Sequence, residues 1–302
     1  MNYELIIVRY GELALKAKQT RKIFENTLIN NIKNALDKQN LSNKILKEWG
    51  RIYVYTEQLK ECINILKKIF GITSVSPAIK TKGDMESIAK LAVKISKQEL
   101  NQDRSFAIRV KRTGEHDYSS QDVAINIGNE IVKATGAKVD LNKPDFKLFI
   151  EVRGIKAFIF TEKISCVGGL PLGSQGSICA LIKDTASILA AWYLMKRGCD
   201  VFFAAPDNSI NKLDSFIENW YAKSKISTVD LENNLYEQIN SISDKNNCYA
   251  ITVGYSLFDN PKKVLNYIKH LKKHIRYPIL HPLIAMNKDE IIKKCKDIGL
   301  KI

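Results

Sequence analysis

The chain has 302 residues, with 47 Lys and Arg against 32 Asp and Glu, a net charge of +15, and 45% hydrophobic residues. That size and apolar content suit two or three globular domains. No run nears the roughly 20 apolar residues that span a bilayer, and the first residues lack a signal-peptide pattern, so the cytoplasm is expected and no membrane partner.

Residues 5–9 read as a strand, 10–19 as a loop and 20–39 as a helix with Ile23, Phe24, Leu28, Ile32 and Leu36 on one face. A second strand covers 51–55 after Gly50, and a short helix covers 57–70, closed by Gly71. Strand, helix, strand, helix within 70 residues predicts a small ferredoxin-like α+β unit. Gly83-Asp84 then opens an amphipathic helix over 85–99, with Ile88, Leu91, Ala92 and Ile95 as its stripe. A strand at 106–110, a helix at 121–134 capped by Gly136, and paired strands at 147–152 and 157–161 follow. Beyond a glycine-rich joint at 167–174 come an apolar run, 177–182, a helix, 185–197, ended by Gly198, and a strand at 200–205. That is the opening of a parallel sheet. Runs at 248–253 and 277–279 fit further strands.

Charge is uneven along this order. Residues 1–165 hold 29 basic and 19 acidic side chains, which points to a polyanionic partner. Two constellations concentrate it. Arg9, Lys16, Lys18 and Arg21 lie on a strand end, a loop and a helix start, where a solvated basic loop is as good a reading as a phosphate site. Farther on, Arg109 and Lys111 alternate along one strand face, Arg112 and His116 follow in the loop, and Tyr118 is available to stack. That spacing suits an RNA backbone or a splayed base, and His116 suits such contact better than acid–base work. Cys62, Cys166, Cys179, Cys199, Cys248 and Cys295 form no CxxC pair, so buried reduced thiols are expected, with no metal site and no catalytic residue.

The blocks IIVRYGELALK, GRIYV, FAIRVKRTGEHDYSSQDV and KVDLNKPDFKLFIEVRG resemble, in order and spacing, the N-terminal half of the tRNA 4-thiouridine synthetase (tRNA sulfurtransferase, ThiI) family. The resemblance implies a ferredoxin-like domain over 1–60, a THUMP RNA-binding domain over 61–165 and a Rossmann-like parallel-sheet domain of PP-loop type over 166–302. It implies docking of the tRNA acceptor end, for which Lys16, Lys18, Arg21, Arg51, Arg109, Lys111, Arg112 and His116 are the candidate contacts. Ala17 departs from the family's glycine there.

The third domain departs further. Gly168 to Gly173 and Ala190 to Gly198 look like the flanks of the family's nucleotide loop, but Ser-Gly-Gly-x-Asp-Ser is replaced by Ile182-Lys183-Asp184-Thr185-Ala186-Ser187, where only Ser187 matches. Glycines let backbone amides reach a phosphate. Asp184 is instead an anion and a favourable helix N-cap, expected to take those amides itself. Leu181, Lys183, Ser187 and Gly254 are the remaining nucleotide-contact candidates, and ATP with Mg²⁺ is expected only if the altered loop still holds nucleotide. ITVGYSL and HPLIAMNKDEI resemble later family segments, whereas the family's arginine-rich helix has no counterpart between Ala205 and Cys248. With the chain closing at Ile302, no downstream sulfur-carrying cysteine is expected. Cys199 follows a helix C-terminus, the wrong end for a stabilised thiolate.

The expected function is therefore a tRNA-binding member of that family with a degenerate PP-loop and no ATP-dependent catalysis of its own. An active ATP-dependent tRNA sulfurtransferase is the alternative, and a general RNA-binding interaction module a third reading. Expected partners are tRNA and a sulfur-donor or catalytic protein, and the resemblance implies a homodimer.

Overall fold

The computed structural model describes residues 3–11, 17–258 and 260–300. These divide into two units: residues up to 9, 36–67 and 74–166 form the first, and residues 10–35, 68–73 and 167 onward form the second.

In chain order the N-terminal half runs β1 (Leu5–Tyr10), α1 (Lys18–Lys38), β2 (Lys44–Glu48), β3 (Arg51–Tyr55), α2 (Leu59–Leu66) and β4 (Ile72–Lys82). It continues through α3 (Met85–Ser96), β5 (Ser105–Thr113), α4 (Ser120–Thr135), β6 (Lys138–Val139), β7 (Phe146–Arg153), β8 (Lys156–Phe160) and β9 (Ile164–Ser165). The strands join in the order β2-β3-β1-β4-β8-β7-β5-β6, with β9 on β4. β7 is antiparallel to β8 and parallel to β5.

Both helices over this sheet start on side-chain caps. Asp84 accepts the Ser87 amide for α3, and Ser119 and Asp122 form a reciprocal capping box for α4. Their stripes, Ile88, Ala92 and Ile95 with Val123, Ile127 and Ile131, bury against Phe106, Leu148, Ile150 and Val152. Because side chains alternate along a strand, Lys147, Phe149, Glu151 and Arg153 of β7 face the other way. On that opposite face Phe158 and Phe160 of β8 pack with Leu5, Ile7 and Tyr53.

The second unit carries β10 (Ser177–Leu181), α5 (Thr185–Lys196), β11 (Asp200–Ala205), α6 (Ile210–Asn219), β12 (Lys225–Thr228), α7 (Leu235–Lys245), β13 (Ala250–Thr252), α8 (Pro261–His274), β14 (Ile279–Leu280) and α9 (Lys288–Asp297). Its sheet is parallel, in the order β12-β11-β10-β13-β14. α5, α6 and α9 close one core around Trp192, Phe203 and Phe216, while α7 and α8 close another around Leu181, Ile239 and Ile251. The order reverses between β10 and β13, so the crevice beyond their carboxyl ends is where such sheets hold ligands. Gly169, at φ +81°, lets the joint pass the C-terminal end of α5, since a Cβ there would lie 2.1 Å from the Lys196 carbonyl oxygen.

The α+β first half and parallel-sheet second half are those expected, as is the β10-α5-β11 opening. Several details differ. β2, β4, α6, β12, α7, α8 and α9 were not legible as elements. The helix expected over 57–70 stops at Leu66, and Phe70 instead stacks on Trp220 at 5.3 Å in the second unit. Ile23, expected inward, is 59% exposed. Among the described residues no helix is long and apolar enough to cross a membrane.

Candidate nucleic-acid interface

Glu151 lies on the face of β7 that turns away from the helices, and only 4% of it is exposed. A buried carboxylate is costly unless paired and fully hydrogen-bonded. Arg9, from the end of β1, donates to its Oε1 through Nε at 3.0 Å and Nη2 at 2.7 Å, and through Nη1 to Ser76 Oγ at 2.9 Å. Arg51 donates to Oε2 at 3.0 Å and to the Gly50 carbonyl at 2.6 Å. Burial alone would raise the Glu151 pKa, but the two guanidiniums outweigh it and hold it below the usual carboxylate range. Two arginines share one carboxylate, so the triad keeps a positive charge. Arg9 also lies 4.8 Å over the Phe160 ring, which stacks on Phe149 at 5.2 Å.

Above this floor opens a cleft of about 510 Å³. Among the described residues its lining carries five cations, Arg9, Arg109, Lys111, Lys147 and Lys163, against the single carboxylate of Glu151. Partial desolvation, then the charges of Arg9 and Lys111, push the Lys163 ammonium below its ordinary value. Crowded like charges are relieved by a phosphate, and the partly exposed Phe149, backed by buried Phe160, offers apolar surface beside it.

The structure brings only some of the sequence candidates here. Arg109 and Lys111 are exposed on one face of β5 and line the cleft, with Arg109 Nη2 donating to the Leu141 carbonyl at 2.6 Å. Arg112 is not in a loop, since β5 runs to Thr113 and Arg112 belongs to it. Its guanidinium donates to the Gly114 carbonyl at 3.2 Å and meets His116 Nδ1 at 3.1 Å. His116 Nε2 lies 2.8 Å from the Gly154 carbonyl, which assigns the proton to Nε2 and leaves Nδ1 to accept from Arg112. Tyr118, expected to be free for stacking, instead donates its hydroxyl to the Gly83 carbonyl. Arg51 serves the triad, with 18% of its side chain exposed. Arg21 is half-buried on α1, in the second unit, and is already engaged. Lys16 lies outside the described residues, as does the side chain of Lys18.

Sequence reasoning missed Lys147, Glu151 and Lys163, and took Arg9 only as part of a loop entry. The available signal was the alternation Lys147-x-Phe149-x-Glu151-x-Arg153, with the strand's one carboxylate on the same face as its two cations.

The crevice at the end of β10 has different chemistry. Asp184 caps α5, its Oδ1 accepting the Ser187 amide at 2.8 Å and the Ser187 hydroxyl at 2.7 Å. Gly254 fits closely, since a Cβ there would lie 2.4 Å from the Ser187 nitrogen. Leu181 is core, 1% exposed. Lys183 lies 4.5 Å over the Tyr267 ring and bonds its hydroxyl. Burial would raise the Tyr267 pKa, but Lys183 and Tyr255 pull it below its ordinary value. A phosphate needs free amides and no competing anion. Here the Asp184 carboxylate takes the Ser187 amide and hydroxyl, an anion standing at the helix start where a phosphate would sit. Among the described residues no group of three or more His, Cys, Asp or Glu could hold a metal ion. All six cysteines are free, and burial pushes their thiols up, to about 12 for Cys62, Cys166 and Cys179, the opposite of an activated thiolate.

Comparison with known proteins shows the family. The chain matches the ThiI ferredoxin-like domain over residues 5–76, the THUMP domain over 82–162 and the Thiamine biosynthesis protein (ThiI) family over 211–301. It is 34% identical to a probable tRNA sulfurtransferase of Methanobrevibacter smithii, over 99% of this chain and 87% of that protein. The 337 aligned positions against 302 residues leave at least 35 without a counterpart here. A crystallised protein of Pyrococcus horikoshii is 30% identical with a TM-score of 0.84, over 98% of this chain and all of that one. A 4-thiouridine synthetase crystallised with RNA and ATP shares the fold, at 24% identity and a TM-score of 0.80, over 99% and 85% of the two chains.

Proposed function

The chain belongs to the tRNA sulfurtransferase family, and we propose that this member docks the tRNA acceptor end in the Arg9–Glu151 cleft and carries out no ATP-dependent transfer of its own. The observation behind the docking half is the cleft's five cations over a stacked Phe149–Phe160 floor. The four exposed cations, Arg109, Lys111, Lys147 and Lys163, neutralise backbone phosphates, releasing counterions, and the partly exposed Phe149 takes an unstacked terminal base. Most of that lining falls within the THUMP match, and a protein of the same fold was crystallised with RNA. The functional modules in this reading are 1–60, 61–165 and 166–302, and the compartment is the cytoplasm.

The second half of the proposal rests on Asp184, whose carboxylate takes the Ser187 amide and hydroxyl at the helix start where a phosphate would bind. Sulfur chemistry in this reading comes from a partner protein. Calorimetry of the full chain with ATP and Mg²⁺, with and without tRNA, is the test. Tight tRNA binding without ATP binding supports a docking protein, and clear ATP binding overturns the non-catalytic half.

One feature favours the second reading, an active sulfurtransferase. Lys183 keeps a cation at the switch-point crevice, and Gly254 still packs against Ser187. Loss of 4-thiouridine on deletion, restored by this gene alone, would establish it. Equal affinity for tRNA with and without its 3′ tail would favour a general RNA-binding module instead.

A further inference from the structure

The chain has three tryptophans. Trp192 and Trp220 are 2% and 8% exposed, whereas Trp49, in the turn between β2 and β3, is 73% exposed. Large aromatic rings are usually mostly covered, so an indole left in water on a basic face calls for a reason.

The turn beneath it is held firmly. Arg51 donates to the Gly50 carbonyl at 2.6 Å, and Arg153 donates to the Trp49 carbonyl. Lys156 pairs with Glu48 at 2.6 Å, tying this tip to the β7–β8 turn. That second turn is also pinned, by His116 on the Gly154 carbonyl at 2.8 Å and by the Gly83 amide on the Ile155 carbonyl at 2.9 Å. It presents Ile155, 86% exposed. Two fixed tips thus carry an indole and an aliphatic side chain among Arg51, Arg153 and Lys156.

This corner is continuous with the cleft. A groove of about 190 Å³ between Arg51, Lys111, Arg112 and Arg153 shares Lys111 and Glu151 with it. From Lys147 to Arg153 the strand advances about 20 Å at the usual rise per residue, so the basic track runs from the cleft mouth to the indole.

We propose that Trp49 is the outer stacking platform of the RNA site: an unpaired nucleotide on the strand that leaves the cleft stacks on the indole, with its phosphates on Arg153 and Lys156. This rests on reading the cleft as the RNA dock. The basic groove that joins the indole's corner to the cleft favours RNA over a protein partner, because it offers successive phosphates a run of cations beside an aromatic face. A pre-positioned ring also loses little freedom when a base settles on it.

Trp49 supplies its own probe, being the exposed indole of the three. The full chain is titrated with a tRNA and with the same tRNA lacking its single-stranded 3′ tail, following tryptophan emission and affinity. The tailed tRNA is expected to quench the exposed indole. Trp49→Ala is expected to weaken binding of the tailed tRNA by roughly 5- to 140-fold, the range for losing one base–aromatic stack, and Trp49→Phe by only a few-fold. If Trp49→Ala does not fold, quenching in the wild type and the affinity of Trp49→Phe decide the question. Unchanged, salt-sensitive binding by Trp49→Ala, with no quenching in the wild type, overturns the platform and leaves the dock standing. No tRNA binding by the wild type overturns both. Loss of self-association with RNA affinity intact overturns the platform in favour of a protein contact.

Discussion

Glu151 decides what the cations around it can do. It is 4% exposed and 100 residues from Arg51 and 142 from Arg9 in sequence, yet it bonds both guanidiniums. Truncating one member of such a buried group leaves uncompensated charge, so Glu151→Ala should destabilise the protein by about 3–5 kcal/mol at pH 7, measured by urea unfolding. The Glu151 pKa is lower in the folded chain than in the unfolded one, so its contribution is present at neutral pH and fades as pH falls through that lowered value. The gap between wild type and variant should therefore narrow below about pH 4. This scale was the least legible in the sequence. A strand cation reads alike whether it faces water or a distant carboxylate, which is why Arg51 looked like a free RNA contact. For the same reason Arg112 and His116 read as loop residues open to RNA, although each bonds main-chain carbonyls.

Elements were legible where periodicity and caps agreed. α3 and α4 announce themselves by apolar stripes with Asp84 and Ser119 at their starts. α8 has its signals too, an Asn260 cap and Pro261 in its first turn, but among the described residues Leu271 is its one buried side chain, so no stripe appears. β4 was hidden by its buried polar residues. Ser74 and Ser76 are buried within it, and Ser76 is there to receive Arg9. β2 is an edge strand with an exposed pattern, lacking the alternation that betrays a strand. At α5 the cap identity was readable in advance, and it makes a prediction. Asp184→Ala should lower stability by about 1 kcal/mol in chemical denaturation, whereas Asp184→Asn, also a good cap, should stay within a few tenths. Equal losses in both variants would mean that the carboxylate charge, and not the capping hydrogen bond, matters at this turn.

For the molecule as a whole, the excess of positive charge in the first 165 residues was visible at once, but not its collection into one cleft, which needs β1, β5, β7 and the segment after β8 together. If Arg109, Lys111, Lys147, Lys163 and Arg153 each meet a phosphate, the logarithm of tRNA affinity should fall against the logarithm of salt with a slope of about −4. Replacing both Lys147 and Lys163 by Ala should flatten that slope by about 1–2, as read by filter binding across a salt series. A slope unaffected by the double change would remove both lysines from the contact. The interleaved course of the chain bears on how the protein is made. Residues 10–35 and 68–73 belong with the segment from 167 onward: Asn31 donates to the Leu172 carbonyl at 3.0 Å, the Gly71 amide donates to Gly168, and Phe70 lies on Trp220. As the chain leaves the ribosome, these early pieces must wait for residues synthesised about 100 to 150 positions later. A nascent chain stalled near residue 166 would hold every residue of the basic cleft while Phe70 still lacked its cover, a window in which a chaperone would find the protein half built.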